Sequence, residues 1–149
     1  MTDYRALFHI LLPETALVVG ALIILTVDLI SGRKRTLEQR TLTAAGIGFV
    51  ALLLGACAAL DAGTTGPAPG GVFINDSLAV ATRAGVLGLA GVALLLAGGT
   101  SRLRHPAEFV AIVLFATAGF TLMAVAQQLL IAFLALELAS LSLYVPAGF

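Results

Sequence analysis

The sequence predicts an all-α integral membrane protein of five transmembrane helices with no soluble domain. Three observations carry this. Hydrophobic residues make up 60% of the 149-residue chain and charged residues 11%, against roughly 25% charged in an ordinary soluble domain. Mean hydropathy is +1.08, and the apolar residues fall in long blocks rather than amphipathic stripes. Lysine and arginine collect in alternate loops between those blocks.

A hydrocarbon core of about 30 Å takes about 20 apolar helical residues. Residues 7–30 form the first such block. Its apolar stretch is longer than the roughly 7–15 residues of a signal-peptide core, and no small-residue cleavage pattern precedes "DLISGRKR". It is expected to be a retained span. Residues 42–60 form the second, with the single cysteine, Cys57, expected as a small packed hydrophobe. Residues 78–97 form the third. Residues 109–126 and 129–149 form the fourth and fifth, divided only by Gln127-Gln128. As one helix, residues 109–149 would be about 60 Å long, twice the membrane, so a tight hairpin at the glutamines is expected.

The loops set the orientation. Arg33, Lys34, Arg35 and Arg40 lie in the first, Arg102 and Arg104 in the third, and no basic residue in the second. Basic loops stay cytoplasmic, which places loops 31–41 and 98–108 inside and the N-terminus outside a bacterial inner membrane. The fifth span then enters from outside. The second loop, "DAGTTGPAPGGVFIND", is rich in turn residues and is expected to be a flexible connector. Glycines in "AGIGF" and "AGGT" fit close helix packing. Neither follows a strand, which argues against a phosphate-binding loop. The formal net charge is +0, and no nucleic-acid partner is expected. His9 and His105 are isolated, and one cysteine suggests neither a disulfide nor a metal site.

Four charges fall in or near the apolar blocks. Glu14 follows Pro13, and both suit the start of a helix, so an interfacial cap is the plain expectation. Asp28 is expected to pair with Arg33, Lys34 or Arg35 at the inner surface. Arg83 lies about 8 Å inside the third span; it either snorkels outward past Asp76 or faces a buried carboxylate. Glu137 lies about 12 Å into the fifth span, near the midplane. A carboxylate there costs about 2.5–3.5 kcal/mol and generally marks a proton or ion path. Apolar surroundings favour its neutral form and a basic partner its charged form; a group balanced between them can load and release a proton. Ser140 and Tyr144 share its helix face and are candidate supports. The bland alternative is a carboxyl that only glues helices together.

The C-terminal run "EFVAIVLFATAGFTLMAVAQQLLIAFLALELASLSLYVPAGF" resembles the fourth and fifth spans of subunit N of proton-pumping NADH:quinone oxidoreductase, respiratory complex I. Glu108-Phe109, Leu114-Phe115-Ala116-Thr117 and Gly119 match the first part of the family pattern. Phe133-Leu134, Leu136-Glu137-Leu138, Ser140-Leu141 and Leu143-Tyr144 match the second. Upstream, "LLPETALVVGALIILTVDLI" is similar to the family's first span, and "FINDSLAVATR" to the start of its third, with a basic residue near Arg83. The resemblance implies the N-terminal part of an antiporter-like fold of about fourteen spans. It implies Glu137 as a proton-relay carboxylate paired with a lysine on a later helix; Arg83 is a further candidate support, beside Ser140 and Tyr144. Partners would be other complex I membrane subunits and the lipid bilayer. FMN, iron–sulfur clusters and quinone would be held by other subunits, with no cofactor in this chain.

Two departures bear on that. The only lysine, Lys34, is in a loop, and the family's intramembrane lysines have no counterpart here. Pro146 stands where an aliphatic residue is expected. The chain is therefore expected to be inactive alone, as a truncated or incomplete subunit or one completed by a separately encoded C-terminal half. Alternatives are a subunit of a multisubunit cation/proton antiporter and a non-catalytic membrane scaffold.

Overall fold

The structure, a computed structural model, describes residues 2–31, 36–64, 66–67, 70–99 and 105–147, and of these the side chains within 7–144 other than at 31 and 66. Five helices follow one another: α1 (Thr2–Ser31), α2 (Leu37–Ala62), α3 (Ser77–Gly98), α4 (Pro106–Val125) and α5 (Leu129–Ala147), with a two-residue pair, β1 (Gly66–Pro67) and β2 (Ile74–Asn75), between α2 and α3. Among the described residues four helices are long and apolar enough to cross a membrane; the apolar stretch of α5, Leu129–Tyr144, is shorter. The turn between α4 and α5 falls at residues 126–128, where the two glutamines interrupt the apolar run.

Local chemistry sets several boundaries. Thr36 caps α2, its hydroxyl accepting from the Gln39 N–H at 3.4 Å while the Gln39 side chain accepts from the Thr36 N–H at 3.4 Å, a reciprocal capping box. The Asp76 carboxylate accepts from the Ala79 N–H at 2.8 Å and caps α3. Pro106 opens α4, where its missing N–H leaves nothing unpaired.

α4 sits centrally, packed on α1, α3 and α5 and touching α2. Beyond Glu108 its residues are apolar apart from the buried Thr117 and Thr121, with no separate polar face. The core comprises Leu17, Ala21 and Ile24 of α1, Ala51 and Leu52 of α2, Leu87 and Leu94 of α3, and Val110 and Leu114 of α4. Gly48, from "AGIGF", makes a close approach: a Cβ there would lie 2.6 Å from Val110 Cγ1 and 3.0 Å from Leu94 Cδ1. Gly46 faces open space, so only one of that motif's two glycines serves packing. Cys57 is exposed rather than packed. The buried face of α2 runs through Ala44, Gly48, Ala51, Leu52, Gly55 and Ala59, and Cys57 falls outside it.

The second loop is not a free connector. Gly70 and Gly71 turn it through positive φ angles of 86° and 63°, and Gly66 and Pro67 pair with Asn75 and Ile74. Phe73 then forms a backbone bridge with Ala126, and the Gln127 N–H donates to the Val72 carbonyl at 2.9 Å. Phe73 is buried with Ile10, Ala79 and Val125. Turn residues indicated where the loop bends; the apolar pair Val72-Phe73 decides that it docks over the α4–α5 turn.

At the opposite end Asp28 pairs with Arg40 of α2. Arg40 Nε lies 2.8 Å from Oδ1 and Nη2 2.5 Å from Oδ2, a two-pronged contact. The expected partners Arg33, Lys34 and Arg35 lie outside the described residues. With both side chains about one-fifth exposed, the pair tethers α1 to α2 modestly. A double-mutant cycle of Asp28→Asn and Arg40→Gln is expected to return a coupling of about 1 kcal/mol or less.

Candidate functional site

The α4–α5 contact fixes where Glu137 points. A Cβ on Gly119 would lie 2.8 Å from both the Ala135 carbonyl oxygen and the Ala139 nitrogen, so the two backbones nearly touch. Ala135 and Ala139 are buried against α4. At 100° per residue, Glu137 stands about 200° around the helix from Ala135. It is exposed, on the face turned away from the bundle. Its neighbours on that outward side include Phe133, Leu134, Leu136 and Leu141, all exposed.

Glu137 thus has an apolar helix around it and no charge partner among the described residues. The supports expected from the sequence do not reach its carboxylate. The Ser140 hydroxyl donates to the Glu137 backbone carbonyl at 3.1 Å, and Tyr144 points outward, 74% exposed. Arg83 is committed elsewhere.

Arg83 is fully buried and does not snorkel. Its Nη2 donates to Glu14 Oε1 at 2.7 Å and to the Ile10 carbonyl at 2.8 Å. Its Nη1 makes a longer contact, 3.4 Å, to Asn75 Oδ1. Asn75, fully buried, donates in turn to the Gly63 carbonyl at 2.5 Å. The Thr121 hydroxyl lies beside Glu14 and donates to the Ala118 carbonyl at 3.1 Å. Four elements therefore converge: α1 with the carboxylate, α3 with the guanidinium, β2 with an amide and α4 with a hydroxyl.

This corrects the expectation for Glu14. α1 begins at Thr2, so Pro13 lies inside the helix and Glu14 is a buried ion-pair partner rather than an interfacial cap. Pro13 brings no N–H and weakens the helical ladder at that turn. The Ile10 carbonyl, less than one turn back, is the one that accepts Arg83. Of the two alternatives open for Arg83, the buried carboxylate is realised. Asn75 and Thr121 were not singled out in the sequence, and Gly119 only as a match to the family pattern. Gly119 had a signal: a glycine opposite two alanines four apart is the small-residue pattern of close membrane-helix contact.

Among the described residues no group of three metal-ligating side chains occurs.

No family profile matches the chain, and no solved structure matches it. Curated proteins do. The NAD(P)H-quinone oxidoreductase subunit 2 of Synechocystis sp. is 35% identical over 148 residues, which cover 93% of this chain and 26% of that protein. The NADH-quinone oxidoreductase subunit N of Erythrobacter litoralis is 31% identical over 153 residues, covering 99% of this chain and 31% of that protein. The NADH-quinone oxidoreductase subunit N 1 of Roseiflexus castenholzii is 43% identical over 79 residues, 53% of this chain and 15% of that protein. The chain spans less than a third of the length of these relatives. With its bundle of apolar helices, it belongs by sequence to the family of NADH-quinone oxidoreductase subunit N, of which it matches a part.

Proposed function

We propose that the chain is part of a membrane subunit of NADH:quinone oxidoreductase and takes part in proton translocation through Glu137. One observation carries this reading: Glu137 sits about 12 Å along an apolar helix on the face turned away from the chain's own bundle. An unpaired carboxylate at a span's centre costs about 2.5–3.5 kcal/mol. A basic group on a neighbouring membrane helix would offset that cost and leave the carboxyl able to exchange a proton. The names of the relatives support the assembly, and the basic loops support an inner-membrane orientation with the N-terminus outside. NADH oxidation and quinone reduction, with their flavin and iron–sulfur groups, fall to other subunits of that assembly.

Glu137→Gln in the assembled, full-length subunit is the test. NADH-driven acidification of inverted membrane vesicles is expected to fall most of the way to background, with subunit assembly unchanged. Unchanged acidification would overturn the relay role and favour a non-catalytic scaffold, a reading supported by the placement of the sole lysine, Lys34, in a loop.

A further inference from the structure

The Glu14–Arg83 contact leaves buried polar atoms over. Arg83 carries five N–H donors. The two on Nη2 are taken by the Ile10 carbonyl and Glu14 Oε1, and one on Nη1 reaches Asn75 only at 3.4 Å. Arg83 Nε and Glu14 Oε2 have no protein partner, although both are buried. An arginine and a carboxylate can dock as a fork, with two parallel N–H···O bonds that use both oxygens. Here Nη2 is shared between the Ile10 carbonyl and Glu14 Oε1, and the second prong is not made.

We propose that this cluster is a binding site for water, which donates to Glu14 Oε2 and accepts from Arg83 Nε. The chemistry selects the ligand. The two open positions are an acceptor on a carboxylate and a donor on a guanidinium, and water is the smallest molecule that complements both. A cation would meet the guanidinium and an anion the carboxylate, so the pair disfavours ions of either sign. Buried waters make about three hydrogen bonds to otherwise unpaired groups; the Thr121 hydroxyl beside Glu14 offers a third. The site lies among α1, α3 and α4, apart from Glu137, and stands whether or not Glu137 carries protons.

Two measurements on the full-length subunit in its membrane assembly test it. A density map that resolves waters is expected to show a peak within hydrogen-bond distance of both Glu14 Oε2 and Arg83 Nε. A dry, two-pronged pair in that map would overturn the proposal. In infrared spectra recorded in ordinary and oxygen-18 water, an isotope-shifted band of a buried water is expected in the wild type and lost in Glu14→Leu/Arg83→Leu. A band that persists in the double variant belongs to another water, and the absence of any such band in the wild type also counts against the site. The wild-type map decides the matter if the double variant does not fold.

Discussion

Arg83→Leu is expected to destabilise the bundle by about 3–5 kcal/mol, the cost typical of removing one partner of a buried ion pair. The loss has three identifiable parts. The Glu14 carboxylate, 8% exposed, keeps its desolvation cost and loses its counter-charge. The Ile10 carbonyl beside Pro13 loses its donor. Asn75 loses its contact with α3, and with it the loop is held less firmly. Replacing both partners is a different experiment, since apolar substitutes of similar volume often match or exceed a buried pair in stability. Glu14→Leu/Arg83→Leu is therefore expected to recover most of the loss. Reversible unfolding of the purified subunit in mild detergent measures both. A single-variant loss below about 1 kcal/mol, the range of exposed pairs, would mean that the two groups are not buried against each other.

The second large effect is expected at Gly119. Its missing side chain lets α4 lie against the backbone of α5, where a Cβ would come within 2.8 Å of two main-chain atoms. Backbone cannot swing aside as the end of a side chain can. Gly119→Ala is expected to cost about 1–3 kcal/mol, the usual penalty for overpacking, and Gly119→Leu to prise the hairpin apart. Gly46→Ala is the control: nothing lies within 4 Å of that Cβ, and the change should be neutral or stabilise by up to about 1 kcal/mol, as for Gly→Ala inside a helix. Cysteines placed at 119 and 135 in a cysteine-free background are unsuitable because they alter the contact itself. Spin labels on exposed positions Met123 and Leu130 report the α4–α5 separation directly, and it should lengthen only in the Gly119 variants. An unchanged separation in Gly119→Leu would show that the helices do not meet there.

Much of this architecture was legible in the sequence because a bilayer imposes one long-range rule on every span. Length and hydropathy located the helical blocks, and Gln127-Gln128 marked the hairpin. What escaped was set by contacts between distant segments. The depth of Arg83 was visible, but its partner was hidden because Pro13 suggested a helix start near Glu14. In fact α1 begins at Thr2, about three turns before Pro13. Glycine and proline marked the second loop as irregular and said nothing of where Val72 and Phe73 would dock. For Glu137, its place along the helix could be read from residue counts. Its direction around the axis could not, because that depends on which small residues of α5 meet Gly119.

The Glu14–Arg83 pair also has a consequence for biosynthesis. Its two members are 69 residues apart, so α1 emerges from the ribosome well before α3 exists. At about 5–20 residues per second, the carboxylate waits on the order of 3–14 s for its arginine. During that interval the first span carries an unmatched acid. The ion pair that ties α1 to α3 therefore forms only after both spans have been made.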